Sequence, residues 1–223
     1  DEAAEYARIH VTGTATVCDS IRRAAQPPHL VYVSSSSVYG PEFVEPIPEN
    51  APLAPASPYG AAKLGAEALI RSFENDFSAT IMRPFNVYGP GMHRETVASR
   101  VVEQLQDPKV ATLEVWDLAP VRDYVYIDDV VAALIRATER KPRDTINLGS
   151  GVGTSVGALI DVAMQASGRA LEVRAVGSPS SGRTPTFPQV ANIQRAHTVL
   201  DWQPHTSLKN GMTKLLNAIG HSI

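Results

Sequence analysis

Apolar residues recur along this chain in two ways: as short unbroken runs, and in longer stretches with helical spacing. Leu30-Val31-Tyr32-Val33 is such a run, the length of a buried strand, and residues 79–83, 112–116 and 121–126 are strand-like segments of similar length. Between them, residues 2–26 carry Ile9, Val17 and Ile21 and stop before Pro27-Pro28, as a helix does. Residues 58–75 form a second helical stretch with Pro58 suited to its first turn. Residues 97–105 and the stretch from Asp128 or Asp129 to Thr138 read as helices, the latter capped by one of those aspartates.

Residues 41–58 are proline-rich after Gly40 and predict a loop over the end of the first strand. Past Asn147 the pattern continues with a helix over 155–166 and a strand over 171–175. A Gly/Pro/Ser/Thr loop over 177–188 and helices near 193–200 and 208–219 follow. Strand and helix alternate, which predicts an α/β fold with a mostly parallel sheet. No internal repeat interrupts it.

Composition narrows the class. The chain has 223 residues, net charge −3 and 43% hydrophobic residues, values of a globular protein of one large or two small domains. No basic cluster offers a nucleic-acid footprint. No apolar run reaches the ~18 residues of a membrane helix. A single cysteine, Cys18, forms no intrachain disulfide, so a reducing cytoplasm is the expected compartment. The six histidines have no metal-ligand spacing, and no metal is expected.

The chemistry concentrates in two segments. Val33-Ser34-Ser35-Ser36-Ser37-Val38-Tyr39-Gly40 is a serine-rich strand end, and Pro58-Tyr59-Gly60-Ala61-Ala62-Lys63 opens a helix. Residues four apart share a helix face, which places Lys63 beside the Tyr59 phenol. A free tyrosine titrates near ~10 and is a poor base at neutral pH; a nearby ammonium stabilises the phenolate. A serine hydroxyl bonding the same substrate oxygen completes a device that moves a proton on and off an alcohol while a hydride moves elsewhere.

This pairing resembles the extended short-chain dehydrogenase/reductase family, in particular the NAD-dependent nucleotide-sugar epimerases and dehydratases. Further segments carry the resemblance in family order. They are His10-Val11-Thr12-Gly13-Thr14, Arg83-Pro84-Phe85-Asn86-Val87-Tyr88-Gly89-Pro90, Arg122-Asp123-Tyr124, Asn147-Leu148-Gly149-Ser150-Gly151 and Leu200-Asp201-Trp202-Gln203-Pro204. The resemblance implies a partial Rossmann-like, mostly parallel sheet with a small C-terminal substrate-binding lobe. Residues 1–146 would belong to the dinucleotide-binding domain with interleaved substrate segments, and residues 147–223 mainly to the lobe.

It also implies roles. Ser35, Tyr59 and Lys63 become the catalytic set; Ser34, Tyr59, Lys63, Pro84 and Phe85 contact the cofactor. Ser36, Asn86, Arg122 and Arg183 hold the substrate, the arginines gripping its diphosphate. The cofactor is NAD, with NADP not excluded, and the substrate a nucleotide-diphosphate sugar. Homodimers of the family pair through the two long helices, here 2–26 and 58–75.

Departures from the family pattern shape the expectation. Sugar 4,6-dehydratases carry Asp-Glu where this chain has Ser36-Ser37, which favours epimerase or reductase chemistry. His10 stands where the family often has Asn facing the nicotinamide. The family's opening Gly-x-x-Gly-x-x-Gly turn has no counterpart in these residues; the chain reads as starting inside the helix before the fourth strand, roughly 60–90 residues into the fold. Gly149-Ser150-Gly151-Val152-Gly153 imitates such a turn, but its third glycine is out of place, and a substrate-side turn is the better reading. A nucleotide-sugar 4-epimerase is the first reading. A nucleotide-keto-sugar reductase is the second, and a non-catalytic sugar-nucleotide-binding fragment the third.

Overall fold

A computed structural model of the chain describes residues 2–40, 43, 46–177 and 187–220. The opening helix is continuous but not uniform: α1 (Glu2–Tyr6) passes through a π turn at Ala7–Thr12 into α2 (Gly13–Arg22). Strand β1 (Leu30–Val33) leads to a 3₁₀ turn at Ser36–Val38, then α3 (Pro58–Ser72) and β2 (Ala79–Pro84). A short β3 (Asn86–Tyr88), α4 (Val97–Gln106), β4 (Thr112–Val115), β5 (Val121–Tyr126) and α5 (Ile127–Arg140) follow. The chain continues through β6 (Thr145–Leu148), β7 (Gly153–Ser155), α6 (Val156–Ser167), β8 (Glu172–Ala175), α7 (Gln194–Leu200) and α8 (Leu208–Gly220).

The central sheet has the order β1-β2-β6, all parallel. Its two faces are filled by successive residues of β2, because side chains alternate along a strand. Ile81 points into a core with Cys18 of α2 and Ile70 of α3. Met82 points the other way, into a core with Val130, Ala133 and Ala137 of α5 and Leu200 and Trp202 at the end of α7. This three-layer sandwich is the Rossmann-like arrangement expected. Cys18 is fully buried packing, as its apolar neighbours suggested.

Two smaller sheets extend from the central one. β5 pairs in parallel with β3 and antiparallel with β7, and β4 pairs in parallel with β8. A separate core of Val101, Leu105, Leu113, Leu159, Ile160, Met212 and Leu215 binds α4, α6 and α8 to these strands. β3 and β7, three residues each, carry too little pattern to be read from sequence. Among the described residues no helix is long and apolar enough to cross a membrane.

The expected aspartate cap on α5 is corrected. The N-cap position is Tyr126, which makes no side-chain capping bond. The Asp129 carboxylate accepts instead from the His205 and Thr206 amides at 3.2 and 3.0 Å, and Asp128 pairs with Lys214 at 3.6 Å. Both still lie in the first turn, where a helix N-terminus favours negative charge. A long-range tie has replaced a local one.

Candidate active site

The candidate site lies at the carboxyl end of β1 and β2, the edge of a parallel sheet where ligands bind in α/β folds. Ser57 caps α3, its hydroxyl accepting from the Gly60 amide at 3.1 Å, and Pro58 opens the helix. Gly60 is required: a Cβ there would strike the Ser37 carbonyl oxygen, so only glycine lets the first turn of α3 abut the serine-rich strand end.

That approach brings Ser35, Tyr59 and Lys63 together. Ser35 lies close enough to the half-buried Tyr59 phenol to lower its pKa; its hydroxyl donates to Ser37 Oγ at 3.1 Å and accepts from the Ser37 amide at 3.1 Å. The Lys63 ammonium donates to the Val33 carbonyl at 2.9 Å and lies 5.8 Å from the Tyr59 ring centre. Tyr6 and the His10 imidazole stand edge-on against Tyr59, each with ring centres 5.5 Å away.

The electrostatics differ from expectation. Burial raises the Tyr59 pKa, and the nearby Ser35 hydroxyl only partly offsets it. Burial also lowers the Lys63 pKa. The ammonium is spent on a backbone carbonyl rather than on the phenol oxygen, so the expected lysine-driven fall in the tyrosine pKa is absent. His10 is held below its ordinary pKa first by burial and then by the charge of Lys63. It does face the site, as its sequence position suggested.

Ser34 is buried, and its hydroxyl donates to Glu67 at 2.6 Å, leaving only its backbone to face a ligand. Pro84 and Phe85 are buried at the end of β2, with Phe85 packed 6.3 Å from the Tyr39 ring. Ser36 opens the 3₁₀ turn and lines a cavity of about 220 Å³ with Asn86, Arg122 and Gln189. Asn86 and Arg122 also line a much larger cavity of about 930 Å³, so the two are joined through this pair.

Asn86 is fixed by donating its amide to the Asp123 carbonyl at 3.1 Å. Arg122 donates to the Val121 carbonyl at 2.8 Å, and burial lowers its pKa. An Arg122–Asp123 surface ion pair does not form. Asp123 is fully buried, and its carboxylate takes the Ser150, Gly151 and Ala191 amides at 2.6, 2.9 and 3.1 Å. The glycine turn that imitates a phosphate cradle thus wraps an aspartate of the chain itself. Arg183 lies outside the described residues. Among those described, no cluster of three His, Cys, Asp or Glu side chains forms a metal site.

Three contributors were not read from sequence. Trp116, at the edge of the large cavity, carries the Arg100 guanidinium 4.2 Å above its ring. Their partnership across α4 and β4 has no local signal. Glu67 did have one: it lies one turn beyond Lys63 and two beyond Tyr59, on the same face of α3.

A family model described as "NAD dependent epimerase/dehydratase family" matches residues 1–149. This chain belongs to that family. A UDP-glucose 4-epimerase of Mycolicibacterium smegmatis is 30% identical over 222 residues, covering 93% of this chain and 67% of the relative. An uncharacterised UDP-glucose epimerase of Bacillus subtilis is 34% identical over 193 residues, covering 82% of this chain and 58% of its own length. The chain therefore spans about two thirds or less of these relatives. The crystal structure of UDP-glucuronic acid 4-epimerase from Bacillus cereus, in complex with UDP-glucuronic acid and NAD, superposes with a TM-score of 0.84. It shares 27% identity, over 96% of this chain and 68% of that one.

Proposed function

We propose that this chain is the catalytic and substrate-holding part of an NAD-dependent nucleotide-sugar 4-epimerase. The observation that carries the reading is the convergence of Ser35, Tyr59 and Lys63 at a strand end beside Ser36, Asn86 and Arg122. Tyr59, as phenolate, takes the proton of the sugar 4-hydroxyl, and Ser35 holds the same oxygen. Tyr59 returns the proton when the inverted alcohol forms. Lys63, anchored on Val33, sits where it can bond a nicotinamide ribose hydroxyl, and the Ser34 backbone, Pro84 and Phe85 border that space. NAD, when bound, accepts the hydride from sugar C4 and gives it back.

The sugar would lie by Ser36 and the diphosphate on Asn86 and Arg122, with the nucleoside in the 930 Å³ cavity against Trp116 and Arg100. Ser36 and Ser37 supply neither the acid nor the base that water elimination needs, which sets dehydratase chemistry aside. The protein works in the cytoplasm, where Cys18 stays a thiol. It pairs as a homodimer through the opening helix and α3; Ile9 and Val17 are the large apolar side chains left exposed on that helix.

The test is to give the full-length protein UDP-glucose, UDP-glucuronic acid and dTDP-glucose with NAD and follow the anomeric proton signals. A 4-epimer accumulating without net change in NADH is expected. Net formation of NADH together with a keto sugar would replace the reading with a reductase running in its oxidative direction, and no turnover of any of the three would remove it.

A further inference from the structure

Three consecutive residues at the end of β1 each meet a different turn of α3. Val33 receives the Lys63 ammonium at 2.9 Å, Ser34 donates to Glu67 at 2.6 Å, and Ser35 stands beside the Tyr59 phenol. The middle link is the buried one. Glu67 has no exposed surface, and neither of its oxygens faces solvent. One takes the Ser34 hydroxyl and the Arg83 Nε at 2.9 Å; the other takes Arg83 Nη2 at 2.6 Å and Arg71 Nη2 at 3.1 Å. Arg83, 1% exposed on β2, continues to the Tyr39 hydroxyl at 2.8 Å, and Tyr39 to the Asn147 side chain on β6 at 2.7 Å.

A buried carboxylate meeting a guanidinium through two bonds is directional as well as strong. It therefore fixes rotation and slide of α3 against β1, β2 and β6 together. We infer that Glu67 is a positioning residue for catalysis: through Ser34 and Arg83 it sets the register of α3 that brings Tyr59 onto Ser35. This deepens the epimerase reading and rests on Tyr59 as its base. The other restraints on that register are the Lys63 bond to the Val33 carbonyl, carried by a long flexible side chain, and the close approach of Gly60 to the Ser37 backbone, which limits approach but leaves the helix free to slide.

The consequence is electrical. The nearness of the Ser35 hydroxyl is what draws the Tyr59 pKa down against burial, so a slipped helix leaves the phenol harder to ionise. The other groups facing Tyr59 are Tyr6 of α1, His10 of the π turn, Tyr32 of β1 and Lys63 of α3. Those facing Glu67 are Arg83, Arg71 and Tyr32. None of these is altered by changing Ser34.

The experiment compares Ser34→Ala and Glu67→Gln in the full-length protein. The Tyr59 ionisation is followed by NMR of ¹³Cζ-labelled tyrosine, assigned with Tyr59→Phe. Both variants should raise the Tyr59 pKa, by about half a unit or more. They should lower kcat ~10-fold or more, with KM changed less than about twofold. The alkaline shift would also appear in the acid limb of the rate profile. If Glu67→Gln fails to fold, Ser34→Ala decides alone, since it removes a single hydroxyl. A folded Ser34→Ala protein with unchanged Tyr59 titration would overturn the inference and leave Glu67 a purely structural residue. The NMR titration needs no substrate, so it reads the clamp even if the epimerase reading fails.

Discussion

The two ends of the candidate site are built on opposite plans. At the Tyr59 end, the polar groups of the strand end are tied down: Lys63 on Val33, Ser34 on Glu67, Ser35 on Ser37. All of these come from residues 33–37 and 59–67, two short segments on one strand and one helix. At the Arg122 end, a cavity of about 930 Å³ opens between α4, β4 and β5, and its charged wall residues include Glu95, Arg100, Asp117 and Arg122. The contrast teaches a division of labour. Proton transfer demands groups held to within tenths of an ångström, which a packed sheet edge supplies. Recognition of a large ligand demands room and adaptable polar contacts, which loops and a separate lobe supply.

The sharpest way to break this comparison is Tyr59→Phe in the full-length protein. Turnover should fall by a factor of roughly 10²–10⁴ with little change in substrate affinity, since a base is lost and not a binding contact. Steady-state kinetics retaining more than about a tenth of the activity would move the chemistry elsewhere.

Glu67→Ala comes next and tests how rigid the tight end is. It strands Arg83, 1% exposed, without its carboxylate, and removal of one partner of a buried pair costs about 3–5 kcal/mol. Urea unfolding is the measurement. A loss near the ~1 kcal/mol or less of a surface pair would show that the clamp is soft.

Arg122→Ala probes the roomy end. The guanidinium lines the cavity and is proposed as its fork for a diphosphate, and a charged hydrogen bond is worth about 1.5–3 kcal/mol. Titration calorimetry with UDP should show affinity falling ~10–100-fold while unfolding stability stays within about 1 kcal/mol. Equal losses in both would mean that Arg122 serves the fold.

The smallest effect is a pH dependence that sharpens the same division. Although burial pushes the Glu67 pKa up, the bonds from Arg83, Ser34 and Arg71 more than offset this and hold it below the ordinary carboxylate value. Its native pKa is depressed, so its contribution is present above the unfolded value and is lost as pH falls through the native one. His10 and His29, both held low mainly by burial, add a loss with the same sign that begins near neutral pH. Stability should therefore decline on acidification in two stages, and Glu67→Gln should flatten only the lower one. Thermal melts across pH 3–7 would show it.

Much of the tight end was legible because it is local. Tyr59 and Lys63 are four apart on a helix, and Ser35 closes a strand, so chemistry and geometry share one short stretch of sequence. The central strands were legible too: β1 is an unbroken apolar run, and β2 and β6 are short strand-like segments of the kind a covered parallel sheet accommodates. The electrostatic sign at Tyr59 was not legible. The proximity of Lys63 follows from spacing, but its commitment to the Val33 carbonyl depends on where β1 ends against α3. The π turn at Ala7–Thr12 was missed for a related reason: it widens a helix by backbone geometry, without a residue type that announces it.

The sequence by itself determined the alternation of strands and helices and the shared helix face of Tyr59 and Lys63, because these rest on periodicity and on fixed spacings within single elements, and its motifs carried the resemblance to the family to which the chain belongs. The tertiary structure alone decided which charges are neutralised and by whom. Asp123 adjoins Arg122 in sequence, yet it gathers amides from residues 150, 151 and 191. Asp129 looked like a cap, and instead it holds residues 205 and 206. Glu67 looked like one more helix acid, and it is the buried joint between α3 and the sheet. A carboxylate removed from water takes whatever donors the fold places within 3 Å, and those donors come from residues that no sequence period connects.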